Sequence, residues 1–317
     1  MPNPSDLPLE LFSQVLSLAH VPSDHLQLCR LALVSRAWAF AVTPHIYKSW
    51  VYNGARHSFK RLWLFLRTII SNPNLACLVR TVHIGNWGLN PYTLLNIESL
   101  PYACLEKEFD CPLDDTSTAL VHRAISQAGL AHIELDMLRA IQQADRRALM
   151  ALLLASLPSL TVIRAHIPLS DPYLAIILRR SLENPDCGKP GYLDQLRKLY
   201  VFAEVPGPDV YYEMGNSGTP KAPLRLDYIW PLLFLKSLRK LSLYDLDTDG
   251  IAALVENNQR HRTCQVDNLT LTTYYDSRCE SCDIQAMLTL PDSLSSLSLS
   301  IHDPNGWERG SSLLKVP

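Results

Sequence analysis

The chain reads as α/β: a short helical N-terminal module followed by an irregular array of alternating strands and helices. Three observations predict this. In the first fifty residues, apolar positions recur at spacings of three and four, in segments broken by proline and serine. Between Val79 and Leu299 one apolar triplet recurs, with two spacers after its first member and one after its second. Stretches of helical periodicity lie between the triplets.

The N-terminal module divides into three helices. Pro8 suits a first helical turn, where its missing N–H costs nothing. Leu11, Val15, Leu16 and Leu18-Ala19 follow at helical spacing, and Pro22 ends the segment by disfavouring helical geometry in Val21. Ser23 or Asp24 caps a second helix carrying Leu26, Cys29, Arg30 and Leu33. Val34-Ser35 marks a break, and Arg36 to Val42 forms a third helix that Thr43-Pro44 ends. A module of about 45 residues buries too little apolar surface to be secure alone, so it calls for a partner or for support from the downstream chain.

Leu7-Pro8, Glu10-Leu11, Leu31, Val34-Ser35, Trp38 and Tyr47, in this order and spacing, resemble the F-box family over residues 5–50. That resemblance implies a three-helix fold that docks a receptor onto the Skp adaptor of an SCF-type ubiquitin ligase. It implies that Leu7, Pro8, Leu11, Val15 and Leu16 face the adaptor, with Leu28, Leu31, Val34 and Trp38 joining or supporting them. The alternative is a helical cap on a larger domain, with Trp38 a core aromatic.

Residues 51–77 read as a linker built on one helix over 55–73. Leu62, Leu64-Phe65 and Ile69-Ile70 form its apolar side, and Pro73 stops it. The remainder, 78–317, carries the triplet as Val79-Val82-Ile84, Leu160-Ile163-Ala165, Leu196-Leu199-Val201, Leu238-Leu241-Leu243, Val266-Leu269-Leu271 and Leu294-Leu297-Leu299. First members lie 81, 36, 42, 28 and 28 residues apart. The last two gaps approach the leucine-rich-repeat range of about 20–29 residues, and the others require insertions. In such a repeat the triplet is a short strand whose leucines enter a stacked core, and helices return the chain. Return helices are predicted over Thr118–Ala128, Asp145–Ser156, Pro172–Leu182, Asp249–Asn258 and Asp283–Leu290. The Asn or Cys of a standard repeat is mostly absent, so the solenoid is irregular, and a compact α/β domain is the alternative. An F-box followed by such degenerate repeats resembles the fungal F-box and leucine-rich-repeat proteins.

Two stretches break the rhythm. Gly85–Thr116 holds Trp87 and Tyr92, and Val205–Pro231 holds five prolines with Tyr211-Tyr212. Segments this long are functional or disordered; if functional, Trp87, Tyr92, Tyr211 and Tyr212 are candidate anchors for a protein substrate. The sequence ends at Leu313-Leu314-Lys315-Val316-Pro317, soon after a strand and without a polar closing element. The expectation is that the array is truncated there or that its end packs elsewhere.

Composition narrows the function. Hydrophobic residues make up 47% and charged residues 19%, with a formal net charge of −2, so no basic excess marks a nucleic-acid binder. No apolar run reaches membrane-spanning length, and the start lacks the pattern of a signal peptide. The expected compartment is cytoplasm and/or nucleus, with the eight cysteines as free thiols and the Asn268-Leu269-Thr270 sequon unmodified. Cys279-Glu280-Ser281-Cys282 lacks a second ligand pair for zinc. Asp245, Asp247, Asp249 and Glu256, with Gly250 at the sixth position, match a calcium-loop spacing, but a strand precedes them where an EF-hand needs a helix. No nucleophile elbow, phosphate loop or dinucleotide fingerprint occurs. The resemblance therefore implies a non-catalytic substrate-recognition subunit without cofactors. It would bind the Skp adaptor and, through it, cullin and RING subunits. The alternatives are a leucine-rich-repeat scaffold acting without ubiquitin transfer, and an enzyme or metal protein whose motif escaped notice.

Overall fold

The computed structural model describes residues 25–54, 56–87, 113–168, 170–182, 192–203, 224–248, 250–258, 264–274, 281–302 and 312–314, together with positions 11 and 14. Two helices open it, α1 (His25–Ala32) and α2 (Arg36–Lys48). Ser35 separates them and caps α2, its Oγ accepting from the Trp38 N–H at 3.3 Å. The sequence predicts that Thr43-Pro44 ends this helix, yet it runs on to Lys48 with Pro44 inside. Proline removes only the bond to the Phe40 carbonyl, and Phe40 lies on an exposed part of the helix where water can satisfy that oxygen.

The sheet begins earlier than predicted. Strand β1 (Ser49–Asn53) follows α2 directly and pairs with β2 (Thr81–Asn86). Between them lie α3 (Phe59–Ser71), capped by Ser58, and a single turn α4 (Pro73–Ala76) that Pro73 starts where it ends the preceding helix. The segment expected as a linker is thus part of the core, with Leu62, Trp63, Leu66 and Ile69 of α3 buried against the strands. Tyr47, Trp50 and Tyr52 repeat the triplet spacing with aromatics in place of aliphatics. Their register places Trp50 beside Val82 and Tyr52 beside Ile84.

The long gap before the next strand is filled by α5 (Asp115–Gln127), α6 (Glu134–Gln142) and α7 (Arg146–Ala155). Asp114 caps α5 and Asp145 caps α7, each accepting a first-turn N–H. Gly129 ends α5 at φ +59°, with the Leu130 N–H on the Ile125 carbonyl and the Gly129 N–H on the Ser126 carbonyl. That pair of bonds defines a Schellman terminus, which favours glycine. Helix α6 was not anticipated. The chain then alternates: β3 (Val162–Ile167), α8 (Pro172–Leu182), β4 (Lys198–Ala203), β5 (Lys240–Leu246), α9 (Ile251–Asn258), β6 (Asn268–Tyr274), α10 (Ser281–Leu288), β7 (Ser296–His302) and β8 (Ser312–Leu314).

Each strand pairs with its successor, and β1 to β7 are all parallel. The fold is therefore α/β. The triplets fall into register: Val82, Ile163, Leu199, Leu241, Leu269 and Leu297 form one row across the sheet. Ile84, Ala165, Val201, Leu243, Leu271 and Leu299 form the next. Burying one such leucine is worth about 2 kcal/mol, so the rows are a main source of stability. Crossovers between parallel strands are right-handed as a rule, so a sheet in sequential strand order keeps its connecting helices on one face, and α7 packs against both α3 and α8. Strand β8, at the end of the chain, runs antiparallel to β7 and covers its outer edge.

One buried carboxyl matters for stability. Asp171 caps α8, its Oδ1 accepting from the Tyr173 and Leu174 N–H groups at 3.0 and 2.9 Å. Its side chain is fully buried, and burial pushes the carboxyl up to about 6 against the pull of the cap and of Arg147. The folded value exceeds the unfolded one near 4, so folding takes up a proton between those limits. Stability from this group is therefore full below about pH 4 and falls as pH rises towards about 6. Asp171→Asn keeps a cap acceptor and removes the charge. Its stability relative to the native chain should rise by roughly 2–3 kcal/mol between pH 4 and pH 7 in urea titrations; a constant difference would rule out this assignment.

Candidate interaction surfaces

Helices α1 and α2 pack around their own small core of Leu28, Ala41 and Val42, supported by Leu31, Ala32, Trp38 and Ile46. This cluster is separate from the main core between sheet and helices. Of the residues expected to meet or support an adaptor contact, Leu28 is fully buried, while Leu31 and Trp38 are half-buried. Val34 is 65% exposed and Leu11, itself helical, 47% exposed. Leu7, Pro8, Val15 and Leu16 lie outside the described residues.

Three further apolar side chains face outward: Leu26 on α1 at 61%, Leu33 in the turn after it at 86% and Phe40 on α2 at 70% exposure. Sequence reasoning grouped Leu26 and Leu33 in one stripe and passed over Phe40. The overlooked signal is helical phase. Leu26 and Leu28 stand about 200° apart around one helix, as do Phe40 and Val42, so only one of each pair can point inward. With Leu28 and Val42 inside, Leu26 and Phe40 are left outside.

The second surface is the face of the sheet away from the helices. Strand side chains alternate between faces, so the residues between the buried rows line it. Register sets Lys198 beside Lys240, and His83, Arg164, Tyr200 and Ser242 in one row. The Arg164 guanidinium sits 4.7 Å from the Tyr200 ring centre, and the Lys240 ammonium 5.6 Å from it. One turn of the pleat onward, His166, Phe202 and Tyr244 stack in a ladder with centroids 4.8 and 4.2 Å apart. Burial lowers the pKa of His83, and the neighbouring Arg164 lowers it further. Burial also lowers that of His166, against a carbonyl bond from Ala203 and the charge of Asp245. Over β6 and β7 the same face turns to uncharged Asn268, Thr270, Ser296 and Ser298.

Trp87, expected as a substrate anchor, is fully buried just past β2 and joins the main core. As placed it offers no surface to a partner, which corrects the expectation drawn from its position in an irregular stretch. Tyr92, Tyr211 and Tyr212 lie outside the described residues.

The calcium-loop spacing leads to a strand-to-helix turn. Asp245 adopts φ +59° at an irregularity in β5, and Gly250 follows at φ +78°. The first turn of α9 is capped across space, by the buried carboxylate of Asp283 accepting from the Ala252 N–H at 2.8 Å. Asp249 lies outside the described residues, and among those described no three His, Cys, Asp or Glu side chains come together as metal ligands. Cys282 falls in α10 and Cys279 outside the described residues, while Cys264 is a buried thiol whose pKa burial raises.

Among the described residues no helix is long and apolar enough to cross a membrane. No protein-family model, curated protein or solved structure matches this chain.

Proposed function

We propose that this chain is the substrate-recognition subunit of an SCF-type ubiquitin ligase, working in cytoplasm and/or nucleus. Its N-terminal helices are an F-box that binds the Skp adaptor. Its sheet and helices are an irregular leucine-rich-repeat array that holds a protein substrate. The chain performs no chemistry itself; it raises the local concentration of substrate at a ubiquitin-charged enzyme carried by cullin and RING subunits.

One observation carries this reading. Large apolar side chains exposed to solvent concentrate at the N-terminus, where Leu11, Leu26, Leu33, Val34 and Phe40 all lie outside the core. Large apolar side chains left exposed mark a place where another protein binds, and these five fall in the span that resembles an F-box. The consecutive parallel strands with one triplet per strand support the repeat reading.

The test is purification of the tagged chain from cell extract beside a Leu7→Ala/Pro8→Ala variant. Adaptor and cullin should accompany the native chain and be lost with the variant. Adaptor without cullin would favour a scaffold acting without ubiquitin transfer. Neither, from a folded native chain, would end the ligase reading.

A further inference from the structure

The sheet face away from the helices gathers positive charge that the sequence disperses. Arg164, Lys198 and Lys240 come from three consecutive strands and surround Tyr200. Arg164 and Lys198 are exposed and Lys240 half-buried, and among the described residues none of the three forms an ion pair. The side chains facing outward from β2 to β5 include no carboxylate until Asp245, at the far end of β5. Three cations thus lie on neighbouring strands of one face of a chain whose net charge is −2.

We propose that this patch is the docking site for an acidic segment of a partner protein, rich in Asp and Glu, which lies across β3 to β5. This deepens the substrate-receptor reading and, as far as substrate is concerned, rests on it. Charge complementarity selects the occupant: Lys and Arg that form no ion pair, with Arg164 and Lys198 exposed, attract carboxylates and repel basic chains. The rings argue against the other polyanion, a single-stranded nucleic acid. Base binding on such a surface needs open aromatic faces. Here Tyr200 is flanked by Arg164 and Lys240, and His166, Phe202 and Tyr244 use their faces on one another. The cation contacts also hold Arg164 and Lys240 in place, lowering the ordering cost of a carboxylate contact.

The probe is fluorescein-labelled poly-glutamate, titrated with the full chain by fluorescence anisotropy. Binding should weaken steeply as salt rises from about 0.05 to about 0.5 M. Arg164→Ala/Lys198→Ala/Lys240→Ala should weaken it about tenfold or more, and Lys198→Arg/Lys240→Arg should retain it. Circular dichroism melts establish that each variant is folded. Equal binding by the triple variant, salt-independent binding, or preference for a single-stranded oligonucleotide of equal charge would overturn the proposal. Adaptor recovery, measured in parallel, separates the two readings. Loss of adaptor with poly-glutamate binding intact ends only the ligase reading; the converse ends only this one.

Discussion

Leu241→Asp unfolds the sheet array. Leu241 sits on β5 within the row that runs from Leu199 to Leu269, and it is 1% exposed. Truncating such a leucine to alanine costs about 2–5 kcal/mol through lost burial and the cavity left behind. A carboxylate there adds the cost of a buried charge with no partner. Domains of this kind are stable by only about 5–15 kcal/mol, so the sum consumes most of that margin. Thr270→Asp provides the contrast. Thr270 lies on β6 beside Ser242, on the face away from the helices, and is half-buried; its cost should stay near 1 kcal/mol or below. Urea unfolding followed by circular dichroism measures both. A native-like midpoint for Leu241→Asp would mean that the triplet rows do not form the core.

Val34→Asp/Phe40→Asp should abolish adaptor binding while leaving the fold intact. Both side chains are mostly exposed, so charging them costs little in the free chain. In a complex the same positions would be buried, and a carboxylate without a partner at the centre of an interface costs about 2 kcal/mol or more, a loss of at least tenfold in affinity. Leu28→Asp should lose binding by a different route, because it destroys the small core of α1 and α2. The two are told apart by melting. The surface variant should melt with the native chain, whereas Leu28→Asp should lose helical signal. Undiminished recovery of the adaptor by Val34→Asp/Phe40→Asp would place docking elsewhere on the chain.

Much of the array is legible from residue order. The six triplets are six strands in a common register, because a short apolar run with fixed spacing has one face to bury and one way to bury it. The helix Pro172–Leu182 is bounded as its periodicity predicts, and Asp145 and Ser156 flank α7 as N-cap and C-cap. Chain-local chemistry fixes these features: a cap needs an acceptor beside free N–H groups, and a proline can start a helix more easily than continue one. Where local rules misled, a tertiary contact prevailed. Helix α2 passes through Pro44 and leads into β1, whose Trp50 and Tyr52 are paired by β2 and whose Trp50 stacks on Phe65.

The surfaces are another matter. Periodicity gives an amphipathic helix its stripes without saying which one a neighbour will cover, so the outward turn of Leu26 and Phe40 waits on the packing of α1 against α2. Likewise Arg164, Lys198 and Lys240 lie 34 and 42 residues apart in the chain and one strand apart in the fold. The sequence by itself determined that each strand has an apolar side and a polar side. Only the tertiary structure decided which polar sides are neighbours, because adjacency in a parallel sheet comes from strand order and register across long crossovers, a non-local choice that no local spacing encodes.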